Sequence, residues 1–173
     1  MVQRQRHSDY LVPDLLQAGL KLVFCGTAPS QASARARAYY AKPGNRFWPT
    51  LHAVGITPRQ FAPHEYRLLL DLGIGLTDLC KVHCGTDAQL PADVFDLDAL
   101  KAKLARHRPR LLAFTSKNAA KAALGRAVEY GPQALQLEGV DLFVLPSPSG
   151  LATRYFDIAV WRALATKVNN PRR

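Results

Sequence analysis

The stretch "LKLVFCG", from Leu20 to Gly26, is a short apolar run that ends at a glycine. Such a run predicts a buried strand that enters a tight turn. Three similar runs follow along the chain, namely "GIGLTDLC", "RLLAFTS" and "VDLFVLPSPSG". Segments with helical periodicity or helix-ending residues separate these runs. This alternation predicts an α/β fold, a three-layer α/β/α sandwich with a short, mostly parallel central sheet.

The intervening segments carry the residues that begin and end helices. "PHEYRLLLDLG" starts at a proline and stops at a glycine, and "DLDALKAKLARHRP" has Asp96 as its expected N-cap. In the second helix, leucines 97, 100 and 104 fall on one face, so we expect them to be buried. Two further helices are predicted at "KNAAKAALGRA" and "ATRYFDIAVWRALATKV". We expect one domain over residues 1–173, with the motif-bearing core at about 20–170.

The chain is strongly basic, with 23 Lys and Arg against 13 Asp and Glu and a formal charge of +10. The excess lies in two acid-free stretches, Arg35 to Arg46 and Lys101 to Arg126. Such fields attract polyanions, which favours a nucleic-acid partner. No apolar run is long enough for a bilayer and the N-terminus has no apolar signal core, so we expect a cytoplasmic protein with no membrane partner.

The three cysteines are Cys25, Cys80 and Cys84, an odd count that does not favour a disulfide framework. Cys80, His83 and Cys84 have the spacing of metal ligands, but a structural zinc site needs a fourth ligand and usually a second cluster. We therefore expect no metal and no cofactor.

Ligands of open parallel sheets bind outside the carboxyl ends of the strands. Four segments follow the predicted strands, namely "GTAPS" from Gly26, the loop between Cys80 and Phe95, "TSKN" from Thr115, and "PSPSG" before Leu151. We expect all four to face one cleft.

The order of "GTAPS", "PGNRFW" and "PSPSGL" resembles that of the uracil-DNA glycosylase superfamily, and most of all its mismatch-specific uracil and thymine glycosylase branch. The resemblance spans about residues 21–155. It implies a monofunctional enzyme of base excision repair that flips uracil out of double-stranded DNA and hydrolyses the glycosidic bond, leaving an abasic site. G·U mismatches are the expected substrate, with other damaged bases and single-stranded DNA left open. No cofactor is required, and we expect a monomer because nothing in the sequence requires a dimer.

The resemblance also assigns residues. The Tyr40 ring would stack on the flipped base, backbone N–H groups near Thr27 would face a base carbonyl, and Leu151 would enter the base stack as a wedge. The base-binding set is Gly26, Thr27, Ala28, Ser30, Tyr40, Asn45 and Ser147. The DNA-binding set is Ser33, Lys117, Ser149, Gly150, Leu151 and Arg154.

Two positions depart from the related branch. Ala28 stands where relatives have an asparagine that positions the attacking water, and Ser147 stands where they have another asparagine, which predicts a more permissive base pocket. A carboxylate could replace the first asparagine, by stabilising the sugar cation and taking a proton from water. We prefer Asp93, since the N-terminus of the helix after Asp96 would keep it ionised. Asp87 is our second choice, and Asp78 remains open.

Two other functions remain open on the residues alone. A protein that kept the wedge and lost the catalytic asparagine could bind DNA or abasic sites without cleaving. A nucleoside or nucleotide hydrolase could use a similar sheet, although the basic stretches favour a polymeric substrate.

Overall fold

The computed structural model describes residues 6–91 and 93–170. A five-stranded sheet forms its centre, in the order β2-β1-β3-β5-β4. Four strands are parallel, and β4 runs antiparallel to β5 at the edge. The expected three-layer α/β/α architecture is confirmed. The strands are β1 (Leu22–Gly26), β2 (Ile74–Asp78), β3 (Leu111–Phe114), β4 (Gly131–Leu137) and β5 (Val140–Val144).

Helices cover both faces of the sheet. The α-helices are α1 (Gln31–Ala36), α2 (Phe47–Ala53), α3 (Leu97–His107), α4 (Lys117–Leu124) and α5 (Ile158–Asn169). Leu22 and Phe24 pack with α2 and α5 on one face, whereas Val23 and Cys25 pack with α3 and α4 on the other. Successive side chains of a strand point to opposite faces, so the apolar run of β1 supplies both layers. In the part of the chain described, no helix has the length and apolar character to cross a membrane.

Helix α3 begins at the predicted cap. The Asp96 carboxylate accepts a hydrogen bond from the Ala99 N–H at 2.9 Å. Leu100 and Leu104 are buried as expected, while Leu97 is only partly buried. The Asp96 N–H also donates to the Leu79 carbonyl at 3.0 Å, so the cap closes the loop between β2 and α3.

The segment Pro63–Leu72, expected to be a helix, is a 3-10 helix. Its buried residues are Tyr66 and Leu69, whereas Leu68 is 41% exposed. Residues three positions apart lie in one row of a 3-10 helix, so its tighter winding directs Tyr66 and Leu69 to the core.

Strand β4 has no counterpart among the predicted strands. It contains Pro132, its residues are mostly exposed, and its pairing with β5 is interrupted between Pro132 and Gln136. Glu138 and Gly139 connect the two strands with positive φ angles of 51° and 75°. An exposed edge strand lacks the apolar pattern of a buried one, which is why its sequence carries little signal.

Candidate active site

A cleft of about 820 Å³ opens at the carboxyl ends of the parallel strands. Its lining includes residues from all four segments that follow the predicted strands, which confirms that they face one cleft. Three backbone hydrogen bonds hold the first segment against the chain that follows β2, since the carbonyls of Gly26, Thr27 and Pro29 accept from the N–H groups of Leu79, Cys80 and Gly85.

Gly26 lines the cleft at a position where no larger residue fits. A Cβ at this position would lie 2.6 Å from Asp78 Oδ1, 3.3 Å from the Tyr40 hydroxyl and 3.4 Å from Thr115 Oγ1. Three polar oxygens therefore converge over the Gly26 backbone. The strand-ending glycine permits this close approach.

Tyr40 is held in an uncommon backbone conformation beside the cleft. Its φ is 53°, which is costly for a bulky residue and is often found at functional sites. The ring stacks on Phe47 with centroids 3.9 Å apart, and the hydroxyl lies 3.1 Å from Thr115 Oγ1. Burial raises the pKa of Tyr40 well above its ordinary value, so the phenol stays neutral. A fixed aromatic ring thus lines the cleft.

The Asp87 side chain lies in the cleft with both carboxylate oxygens engaged. The Thr27 hydroxyl donates to Oδ1 at 2.6 Å, and the Asn118 amide donates to Oδ2 at 2.8 Å. These partners come from the loop after β1 and from the first turn of α4. Two segments from distant parts of the chain therefore fix the orientation of one carboxylate, in a cleft that Ala28 lines with only a methyl group.

Asp93, the preferred sequence candidate, has a different environment. It is an exposed turn residue, and among the described residues the cleft lining includes Asp87 but not Asp93. The choice of Asp93 depended on the helix N-terminus alone, and Asp96 already caps that helix. Of these two carboxylates, Asp87 lies with the other cleft residues and Asp93 does not.

The segment with Leu151 forms a protruding turn at the cleft rim. Leu151 is 72% exposed, which is unusual for a leucine that lines a cleft. Its N–H donates to the Ser149 hydroxyl at 3.2 Å, and the Ser149 N–H donates to the Ser147 hydroxyl at 3.2 Å. The Trp161 indole anchors the base of the turn through the Pro146 carbonyl at 3.1 Å. An apolar tip on an anchored turn is the arrangement that an intercalating wedge needs.

Residues 13–166 match the family model of the uracil DNA glycosylase superfamily. The chain belongs to this superfamily. Its fold is also similar to a solution NMR structure of a "putative Uracil DNA glycosylase" from Methanosarcina acetivorans, with 26% sequence identity and a TM-score of 0.66. The match covers 92% of this chain and 97% of that chain. Membership makes the protein a DNA glycosylase, a hydrolase that acts on DNA.

Beneath the cleft of this glycosylase lies a buried cluster of charged groups. Lys81, 1% exposed, donates from Nζ to the Tyr39 hydroxyl at 2.7 Å and lies 3.1 Å from Asp14 Oδ1. Lys103 Nζ lies 2.8 Å from Asp14 Oδ2. Burial alone would raise the pKa of Asp14, but the two lysines outweigh that effect and lower it. The Asp14 carboxylate is therefore ionised between two cations.

Asp78 borders this cluster from the cleft side. It is 5% exposed, and its Oδ2 lies 4.0 Å from Lys81 Nζ with no hydrogen-bond partner. Burial raises the pKa of Asp78 to about 7, although Lys81 opposes the shift. The two cleft carboxyl groups thus differ, because Asp87 is hydrogen-bonded in an exposed position whereas Asp78 is enclosed.

Ser33 and Asn45 line the cleft, but both are engaged within the protein. The Ser33 hydroxyl, 2% exposed, accepts from the Ala41 N–H at 3.0 Å and from the Ser30 hydroxyl at 3.1 Å. Asn45 Oδ1 accepts from the Phe47 N–H at 2.9 Å. Ser30 is the N-cap of α1, and its side chain accepts from the Ser33 N–H. These side chains shape the loop that carries Tyr40.

Lys117 and Arg154 were expected to contact DNA, and the structure places them at the periphery. Lys117 Nζ lies 4.3 Å from the centre of the Tyr130 ring and 3.7 Å from Glu129 Oε2. Arg154 is exposed. Within the described residues, neither side chain belongs to the cleft lining.

Sequence reasoning missed Asn118 and Thr115 as site residues. Both lie in the "TSKN" segment that the strand rule selected. Asn118 could have been chosen as the polar residue in the first turn of the helix after β3, but only the fold brings its amide to Asp87. Among the described residues, no group of three or more His, Cys, Asp or Glu side chains is placed to hold a metal ion, and this includes the Cys80 segment.

Proposed function

We propose that the protein is a monofunctional uracil-DNA glycosylase of the mismatch-specific kind, which flips uracil out of duplex DNA and hydrolyses its glycosidic bond. G·U mismatches are the preferred substrate, and an abasic site is the product. The observation that carries the proposal is Asp87, an oriented carboxylate in the cleft that supplies the polar group absent at Ala28.

Extrusion of the base comes first, because the glycosidic bond of a paired base is out of reach in the duplex. The cost is a few kcal/mol and is smallest for a mispaired base, which favours G·U over a Watson–Crick pair. Leu151 fills the space that the base leaves. The extruded pyrimidine stacks on Tyr40, whose opposite face rests on Phe47. The small Ser147 side chain leaves room for further damaged bases.

Asp87 then acts on water. A carboxylate has about four acceptor positions, and Thr27 and Asn118 occupy two of them, so Asp87 retains positions that can accept from a water molecule. Its negative charge stabilises the oxocarbenium character of the sugar as the bond to the base breaks. Asp87 takes the water proton as oxygen attacks C1′. The departing base carries its negative charge toward the backbone N–H groups of the turn around Thr27 and Ala28.

The decisive experiment compares wild type, Asp87→Ala and Asp93→Ala in single-turnover release of uracil from a labelled G·U duplex. Asp87→Ala should lower the rate by about 100-fold or more, since general-base contributions are of that size. Asp93→Ala removes an equivalent charge from the same loop and should remain close to wild type. Duplex binding and thermal unfolding are measured for each variant to show that only the chemistry has changed.

Each alternative has its own outcome. Duplex binding by the wild type without uracil release, at stoichiometric protein, would indicate a non-catalytic DNA-binding protein. Release from free deoxyuridine but not from DNA would indicate a nucleoside hydrolase. Normal cleavage by both variants would show that a group other than these carboxylates activates water.

A further inference from the structure

Two loops at the cleft rim are packed against each other through their backbones. We call residues 43–46 the bracing loop and residues 147–156 the wedge loop. The Arg46 N–H donates to the Pro148 carbonyl at 2.8 Å. A Cβ on Gly150 would lie 3.2 Å from the Gly44 carbonyl oxygen, so the wedge loop approaches the bracing loop as closely as a glycine allows.

The Arg46 side chain extends this contact along the wedge loop. Its Nη2 donates to Thr153 Oγ1 at 3.3 Å, and the Thr153 hydroxyl donates in turn to the Gly150 carbonyl at 2.9 Å. The guanidinium lies 5.0 Å from the centre of the Phe156 ring. The planar guanidinium of Arg46 therefore supports the turn that carries the exposed Leu151.

The same residue is connected to the base platform. Arg46 immediately precedes Phe47, the first residue of α2, which is fully buried and stacks on Tyr40. A continuous path of covalent bonds and close contacts thus runs from Tyr40 through Phe47 and Arg46 to the wedge loop. Packed elements of this kind hold a fixed relative position.

We propose that Arg46 is a positioning residue that holds Leu151 at a set distance from the Tyr40 ring, so that wedge insertion and base capture occur together. The inference rests on the proposed function. A duplex requires both events at once, because the extruded base must reach Tyr40 while Leu151 replaces it in the stack. Single-stranded DNA needs no wedge. Arg46 therefore determines how well the enzyme acts on duplex relative to single-stranded DNA.

The test uses two single variants and the double variant. Arg46→Met keeps an apolar stem over Phe156, and Thr153→Val removes the hydroxyl that accepts from Arg46 without changing the charge. Arg162→Met, an exposed charge on α5 outside the cleft lining of the described residues, is the matched control. Uracil release is measured under single-turnover conditions from a G·U duplex and from the uracil strand alone. Base extrusion is followed by 2-aminopurine placed beside the uracil.

Both single variants should lower the duplex rate by about tenfold or more, while the single-strand rate falls by less than about threefold, since small misplacements are costly only where geometry limits the rate. The double variant should be no worse than Arg46→Met, because the two groups act through one contact. The 2-aminopurine signal of the duplex should fall in parallel. Arg162→Met should match the wild type on both substrates.

A direct phosphate contact by Arg46 is the competing explanation. In that case Thr153→Val would release uracil at the wild-type rate. Arg46→Met would release uracil more slowly from both substrates, and its DNA binding would depend less on salt. Equal losses on duplex and single strand in both variants would also overturn the proposal. Absence of release by the wild type from either substrate would instead refute the proposed function, and the 2-aminopurine signal would still test the positioning role.

Discussion

Asp78 and Asp87 line the same cleft but have different environments. Asp87 receives two hydrogen bonds and remains exposed, whereas Asp78 is enclosed beside Gly26 and has an oxygen without a hydrogen-bond partner. Burial raises the pKa of Asp78 to about 7, with Lys81 and Lys103 opposing the shift and Asp14 adding to it. A group with this pKa changes its charge near neutral pH, so its effect on stability should depend on pH.

The Asp78→Asn variant should have a flatter dependence of stability on pH. The folded-state pKa is about 7 against an ordinary value of 3.8, so the folded protein holds this proton more tightly than the unfolded chain. The stabilisation is fully present below about pH 4 and is lost as the pH rises through about 7. The wild-type free energy of unfolding should therefore fall across this range more steeply than that of Asp78→Asn.

Urea denaturation of both proteins at several pH values between about 4 and 8 measures this difference. Asp14 has a lowered pKa, so its contribution to the free energy of unfolding is lost only below its ordinary pKa of 3.8. This lies outside the pH range compared. Asp93→Asn, at an exposed turn, serves as the control. Parallel curves for wild type and Asp78→Asn would show that Asp78 does not titrate in this range.

At the scale of elements, the N-cap of α3 has two roles. The Asp96 carboxylate caps the helix by accepting from the Ala99 N–H. The Asp96 N–H donates to the Leu79 carbonyl and so closes the loop between β2 and α3. The loop between these points carries Asp87. Helix stability and the position of the proposed catalytic carboxylate are therefore linked by one buried residue.

Asp96→Ala should lower the free energy of unfolding by about 1 to 2 kcal/mol, as expected for loss of a buried N-cap. Asp96→Asn retains the accepting oxygen and should lose less than half of that amount. Asp98→Ala, in the first turn of the same helix, removes an equal charge without removing the cap. Denaturant unfolding ranks the three variants, and equal losses in all of them would assign the effect to charge instead of capping.

Over the whole molecule, basic residues lie at both ends of the sheet. Arg35 and Lys42 line the cleft at the carboxyl ends of the strands. Arg106 lies in the last turn of α3, and Arg126 directly follows Gly125, the C-cap of α4. The His107 carbonyl accepts from the Gly19 N–H just before β1, which places the end of α3 at the opposite edge. The positive charge is therefore not confined to the cleft end of the sheet.

The salt dependence of duplex binding should distinguish these two ends. Replacing Arg35 and Lys42 with Gln should reduce the slope of log K against log salt by about 1.8, because each phosphate that the protein neutralises contributes about 0.9. Arg106→Gln with Arg126→Gln removes the same charge and should leave the slope close to wild type. Fluorescence anisotropy over a range of salt concentrations gives both values, and equal reductions would place DNA on both ends.

The fold was largely determined by local sequence. Buried parallel strands need continuous apolar runs, and helices need caps, so both leave a signal within a few neighbouring residues, as at β1 and Asp96. The edge strand β4 and the 3-10 winding of Pro63–Leu72 were missed because exposed pairing and close packing depend on neighbours distant in sequence.

The candidate site was determined only in part. The sequence selected the four cleft segments, and through its resemblance it selected Tyr40 and the tip at Leu151. Only the tertiary structure places Asp87 in the cleft and orients it, since hydrogen bonds from Thr27 and Asn118 reach across 60 and 31 residues of chain. It also joined Arg46 to Thr153, 107 residues away. A carboxylate's orientation depends on the donors around it, and those donors meet only when strands from distant parts of the chain end at one edge of the sheet.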